Sequence, residues 1–142
     1  MLNKPRILII EDNSHASLIV ERLIDDGYNA VQVDNLLDAW DCLTDDPGPE
    51  NYDAIILDLN LDDEGLFPDQ DPKFHGLAGW LFYERLIEKN DRLRNITIFY
   101  SSFGDALKNA IGSQRFEALK FANKRSVTLY KDIIAFIKQC IS

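Results

Sequence analysis

The sequence predicts an α/β domain, a doubly wound parallel sheet of five strands alternating strictly with five helices, and three observations carry that prediction. The run Asp53-Ala54-Ile55-Ile56-Leu57-Asp58 holds four consecutive apolar residues, which reads as a strand buried on both faces inside a parallel sheet. Arg6 to Ile10 (RILII) repeats the pattern near the N-terminus and, like the first run, ends in acid, here Glu11 and Asp12. Stretches of helical period separate such runs along the chain, and short connections between them imply right-handed crossovers.

Taken in order, a helix is expected from Asn13 to Asp26, capped by Asn13 or Ser14, with Ala16, Ile19, Val20 and Leu23 as its apolar stripe and Gly27 as its stop. Ala30 to Val33 is a short strand. Asn35 opens a second helix whose Leu36, Leu37, Ala39, Trp40 and Leu43 face inward, and Asp45-Asp46-Pro47-Gly48-Pro49 breaks it. After the strand that ends at Asp58, residues 61–75 interrupt the rhythm. They carry Asp62, Asp63, Glu64, Asp69 and Asp71 with no apolar period, and read as a solvated acidic insertion. Connections in α/β units usually span only about 2–6 residues.

Gly76 to Asn90 is the third helix, with Leu77, Trp80, Leu81 and Ile87 inward. Ile96 to Tyr100 (ITIFY) is the fourth strand, ending at Ser101-Ser102, and Gly104 to Phe116 is a weaker helix containing Gly112. Ala118 to Ala122 is the fifth strand, ending at Asn123-Lys124, and Ser126 caps a last helix that runs to about Ile141. On that helix Val127, Tyr130, Ile134, Ile137 and Ile141 form one stripe, and Leu129, Ile133, Phe136 and Cys140 a second about 100° away. This is more apolar surface than packing on a sheet requires, so part of it is expected to dock a partner or a second copy.

Composition bounds the function. The chain has 142 residues, 46% of them apolar, enough for one packed domain spanning 1–142. Its 15 basic against 24 acidic residues give a net charge of −9, which disfavours nucleic-acid backbone binding and suits divalent cations or basic partners. Cys42 and Cys140 show neither disulfide nor metal-ligand spacing. No secretory signal and no span of about 20 apolar residues is present, so a cytoplasmic location and no membrane partner are expected. His15 and His75 read as exposed residues.

The chemistry gathers at one sheet edge. A carboxylate where a buried strand stops is costly unless a positive group sits there or the strand opens into a crevice. Ligands bind in that crevice in open parallel sheets. Strands one, three, four and five end in Glu11-Asp12, Asp58, Ser101 and Lys124. Carboxylates that close repel one another unless a cation sits among them, and a hard oxygen set suits Mg²⁺. A lysine and a hydroxyl opposite such a metal are what a transferring phosphoryl group needs, and an aspartate can accept it covalently.

This ordered set resembles the receiver domain of two-component response regulators, of the chemotaxis-regulator type, over the whole chain. The resemblance implies the flavodoxin-like strand order 2-1-3-4-5 and a stand-alone phosphoacceptor in a phosphorelay. It implies Asp58 as acceptor, Asp12 and Asp58 as direct Mg²⁺ ligands, Glu11 acting through water, and the Asn60 backbone carbonyl completing the set. Lys124 would contact the phosphoryl oxygens, Ser101 would move onto the phosphate, and Phe121 would be the aromatic switch. The phosphodonor would be a histidine kinase, a phosphotransfer protein or a small acyl phosphate. Output would pass through a bound protein or a homodimer formed by the fourth helix, fifth strand and fifth helix. Phe103, two after Ser101, stands where side chains shape water access, which implies slow self-dephosphorylation. The chain departs from the family pattern in carrying Arg125 where a proline usually follows the lysine, Ser102 where a small residue follows the hydroxyl, and the 61–75 insertion.

Two other classes compete: a receiver-like interaction module that needs no phosphate, and a Mg²⁺-dependent aspartyl-phosphate phosphatase. The second usually asks for an aspartate two residues after the nucleophile, where this chain has Asn60. The expectation is therefore a signalling domain that phosphorylates and slowly dephosphorylates itself, rather than an enzyme that turns over substrate.

Overall fold

The computed structural model describes residues 4–13, 16–45 and 48–142. Its sheet contains β1 (Arg6–Ile10), β2 (Asn29–Val33), β3 (Ala54–Leu57), β4 (Thr97–Ser101) and β5 (Lys120–Asn123), all parallel, in the order β2-β1-β3-β4-β5. This is the expected flavodoxin-like topology in a single domain. The central strands are buried almost throughout, because helices cover both faces and each apolar run must satisfy both. β2 and β5, at the edges, are only half-buried.

Strict side-chain alternation divides the core in two. Ile7, Ile9, Ala54, Ile56, Ile98 and Tyr100 face α1 (Ala16–Asp25) and α7 (Leu129–Ile141), which contribute Ile19, Leu23, Ile133 and Ile137. Leu8, Ile10, Ile55, Leu57 and Phe99 face the opposite layer. That layer holds α2 (Leu36–Thr44), α3 (Ala78–Phe82), α4 (Asp91–Asn95), α5 (Gly104–Ile111) and α6 (Ser113–Glu117). Asn35 caps α2 as expected, its side chain accepting from Asp38 N. Tyr130 fastens α7 to α1, its hydroxyl donating to Asp26 Oδ2 at 2.6 Å with the Arg22 guanidinium 3.7 Å over its ring.

The structure differs from the expectation in several places. The helix expected over 76–90 is present from Ala78 to Ile87, α3 passing without a break into a π turn at Tyr83–Ile87, with a separate 3₁₀ turn at Pro72–Phe74 before it and the separate α4 after Asn90. Asn90 caps α4 instead of ending a helix, accepting from Leu93 N at 3.1 Å. The helix expected over 104–116 splits at Gly112, whose φ of 91° no other residue adopts without strain. Ser126 caps a turn rather than the last helix: its Oγ accepts from Thr128 N, and α7 starts only at Leu129 with no side-chain cap. Val127 therefore stands outside the helix, fully exposed. Leu37, expected inward, is 43% exposed, because Leu36, Ala39 and Leu43 already define the buried face of α2. Ser14, His15, Asp46 and Pro47, which carry a candidate cap and part of a helix break, lie outside the described residues. No helix among the described residues is long and apolar enough to cross a membrane.

The segment over 61–75 is not a solvated loop. Its acids stay outside, but Leu61, Phe67 and Phe74 are buried in the core, with Leu59 and Leu77 flanking them. Local turns hold the tip, with Asp62 Oδ1 accepting from Glu64 N and Asp63 Oδ1 from Gly65 N. Arg85 lies 5.0 Å over the Phe67 ring. Period analysis misses such anchors because irregular backbone gives them no fixed spacing. Phe67→Ala is expected to lower stability in urea unfolding by about 3 kcal/mol, the cost of emptying a buried phenylalanine site. A change below about 0.5 kcal/mol is what an exposed loop would give.

Candidate functional site

Parallel pairing in register brings the carboxyl ends of β1, β3, β4 and β5 to one edge, and Glu11, Asp12, Asp58, Ser101 and Lys124 with them. Backbone bonds fix the loops: Asp58 N donates to Ile10 O at 3.0 Å, Glu11 N to Val33 O at 3.1 Å, and Lys124 N to Ser101 O at 3.1 Å. Glu11 and Asp58 are buried, with 1% and 2% exposure, whereas Asp12 is exposed. Carboxylate oxygens of the three all lie within 4.8 Å of one another.

Lys124 closes the site. Its Nζ donates to Glu11 Oε2 at 2.7 Å and to Asp58 Oδ2 at 3.2 Å. The remaining oxygens are also engaged, Glu11 Oε1 by Asn13 N at 2.9 Å and Asp58 Oδ1 by Asn60 N at 3.3 Å. Burial, reinforced by hydrogen bonding to Asp58, pushes the Glu11 carboxyl above the usual range against the opposing pull of Lys124. Burial and the Glu11 charge do the same to Asp12. Burial works against the Lys124 ammonium, but its bonds to Glu11 and Asp58 outweigh it and raise the pKa.

Three carboxylates facing one ammonium leave an excess of two negative charges. One divalent cation neutralises that excess, and an all-oxygen donor set suits a hard ion such as Mg²⁺. The residues present therefore fit the metal.

The other expected residues fall around this centre. Ser101 is fully buried, with its Oγ accepting from Phe103 N at 3.0 Å. Phe103 is 42% exposed. Phe121 is half-buried, stacked on Phe99 at 6.5 Å and tilted against Phe116 at 5.0 Å. Asn60 is exposed, two residues after Asp58. A groove of about 690 Å³ opens beside Lys124 between α1 and the start of α7, with Leu18 and Val127 on its rim.

Sequence reasoning missed three residues that shape the site. Gln32 Nε2 donates to Glu11 O at 2.8 Å, tying the acidic loop to the edge strand. Gly79 lets α3 press on the loop after β3, since a Cβ there would lie 1.9 Å from Asp58 O. The Tyr100 ring lies 4.5 Å from Lys124 Nζ. Only the tyrosine had a visible signal, as the residue before Ser101 in an otherwise apolar strand.

No protein-family model and no curated protein matches the chain by sequence. In structure it is similar to the non-phosphorylated HemR receiver domain of Leptospira biflexa, with 24% identity, 98% of this chain and 95% of that chain covered, and a TM-score of 0.67. It is similar to a CheY-like response regulator receiver domain protein of Methanospirillum hungatei JF-1, at 16% identity, 98% and 94% coverage, and a TM-score of 0.66. The phosphorylated cyanobacterial phytochrome response regulator RcpA matches at 17% identity, 96% and 91% coverage, and a TM-score of 0.60. The chain has the fold of response regulator receiver domains along nearly its whole length, with an acidic cluster at its strand ends.

An uncompensated acidic cluster opposes folding. With no divalent cation, a carboxyl whose pKa is raised in the folded state loses stability as pH rises from its unfolded value through its folded one. Asp12→Asn removes that loss. In EDTA at pH 7 the variant is expected to be more stable by about 0.5 kcal/mol, allowing for solvent screening at this exposed position. The difference should vanish below pH ~4, where the unfolded carboxyl also protonates. Mg²⁺ should stabilise the wild type more than the variant. A variant less stable than wild type in EDTA contradicts the charge argument.

Proposed function

We propose that this chain is a response regulator receiver that accepts a phosphoryl group on Asp58 and signals by partner binding. The observation that carries the reading is the Lys124 ammonium bonded to both Glu11 and Asp58, with the Asp12 carboxylate beside them. Phosphoryl transfer needs little covalent chemistry from a protein beyond positioning and charge neutralisation, and this arrangement offers both.

In the proposed reaction the Asp58 carboxylate attacks phosphorus. The bond from phosphorus to the donor breaks, and its electron pair leaves with the imidazole nitrogen of a phosphohistidine or the carboxylate of an acyl phosphate. Lys124, already at Asp58 Oδ2, follows the negative charge onto the phosphoryl oxygens. Glu11, Asp12, Asp58 and the Asn60 carbonyl would hold Mg²⁺, which supplies charge neutralisation and orientation. Water later attacks phosphorus, returning the carboxylate and inorganic phosphate. Phe103, exposed beside Ser101, limits that water and slows the return. The groove between α1 and α7 next to Lys124, with apolar Leu18 and Val127 at its rim, suits the approach of a kinase or phosphotransfer protein.

Ser101 and Phe121 carry the switch. When the Ser101 hydroxyl turns to the phosphate it would give up Phe103 N, and Phe121 would move toward the position it leaves. Phe121 has little slack, because a Cβ on Gly104 would meet its ring at 3.1 Å. The output surface is then the face of α5, β5 and α7, which presents half-buried Phe136 and exposed Ile141 to a partner or a second copy. RcpA is described as phosphorylated, and its shared fold supports the same chemistry here.

Incubation with acetyl phosphate and Mg²⁺, read by intact mass, is expected to add about 80 Da, one phosphoryl group. EDTA or Asp58→Asn should abolish the gain, and Phe103→Glu should shorten its lifetime. No gain indicates a phosphate-independent module, and continuous release of phosphate indicates a phosphatase.

A further inference from the structure

We infer that Tyr100 is a positioning residue for the transfer, the face of its ring forming the shelf that holds the Lys124 ammonium over Asp58. The inference rests on the phosphoacceptor reading above. A lysine ammonium is a compact charge on a flexible four-carbon stem, without the fork that fixes an arginine. Its two carboxylate partners set distances but leave it free to swing between them.

The sheet supplies the missing constraint. Tyr100 pairs with Ala122 across β4 and β5, and alternation places its ring with Ile98 and Ala122 on the α1/α7 face. Lys124, two residues beyond Ala122, turns over the strand end directly above that ring, with Nζ 4.5 Å from the centroid. Tyr100 is only 3% exposed and the Lys124 side chain 23%, so water screens the attraction only in part. The ring is also neutral and offers a hard cation no competing carboxylate. It keeps its hold on the ammonium after a divalent ion and a phosphoryl group have taken up the carboxylate charge. A leucine would fill the same volume without the negative ring face.

The test uses the full chain with phenylalanine and progressively fluorinated phenylalanines at position 100, since fluorine drains the ring face while hardly changing its size. Tyr100→Phe should phosphorylate from acetyl phosphate within about twofold of wild type. Added fluorines should slow the rate stepwise, to about fivefold for the trifluorinated ring, and Tyr100→Leu should be at least as slow. Urea unfolding midpoints should stay level across the fluorinated series, which a purely packing role cannot separate from the rate. In the unphosphorylated protein the Lys124 ε-methylene protons should show an upfield ring-current shift that Tyr100→Leu removes. A wild type that is phosphorylated while the fluorinated series stays flat overturns this inference alone. A wild type that takes no phosphoryl group overturns the phosphoacceptor reading and the positioning role with it.

Discussion

The ammonium of Lys124, shared between Glu11 and Asp58 at 2.7 and 3.2 Å, is the interaction on which the rest of the site depends. Two carboxylates with almost no solvent access cannot both stay charged in a sheet crevice without a cation, and the lysine satisfies only part of that demand. The residue of negative charge is a standing cost to the fold. A structure built for stability alone would place apolar groups there, as it does at Ile7 to Ile10, Ala54 to Leu57 and Ile98 to Tyr100 of the central strands. On the proposed function, the cluster is stability given up to bind one divalent ion and one phosphoryl group.

Parallel topology is what makes the cluster possible. Strands that all run one way end on one side, so residues far apart in sequence, such as Glu11 and Lys124, meet without any loop having to reach. The layer beneath is then drawn in closely. Gly79 gives α3 direct contact with the Asp58 carbonyl, and the adjoining helix relaxes through a π turn at Tyr83–Ile87, where Trp80, Tyr83 and Phe99 pack ring on ring. The segment over 61–75 follows the same logic, its acidic tip in water and its phenylalanines in the core, so the loop that carries Asp58 is braced on its C-terminal side.

The central strands and the strand-end residues were legible in the sequence because a strand buried on both faces is a continuous apolar run, and any charge at its end stands out. Asp58, Lys124 and the Glu11-Asp12 pair needed no further information to be singled out. What escaped was whatever depends on close approach or irregular backbone. Nothing in the pattern around Gly79 signals that a Cβ there would strike Asp58, and nothing in the 61–75 acid run signals that Phe67 is buried. Ser126 looked like a helix cap, but the chain spends two more residues in a turn before α7 begins. Tyr100 looked like one more core aromatic until its neighbour across the strands was known.

The most direct measurement is to locate the phosphoryl group chemically. Borohydride reduces an acyl phosphate but leaves a free carboxylate intact, so treatment after incubation with acetyl phosphate and Mg²⁺, followed by peptide mapping, marks the acceptor. The account predicts reduction at Asp58 alone, dependent on both Mg²⁺ and Lys124. Reduction at Glu11 or Asp12, or at no residue in a sample that has been fully exposed to donor and metal, would contradict it.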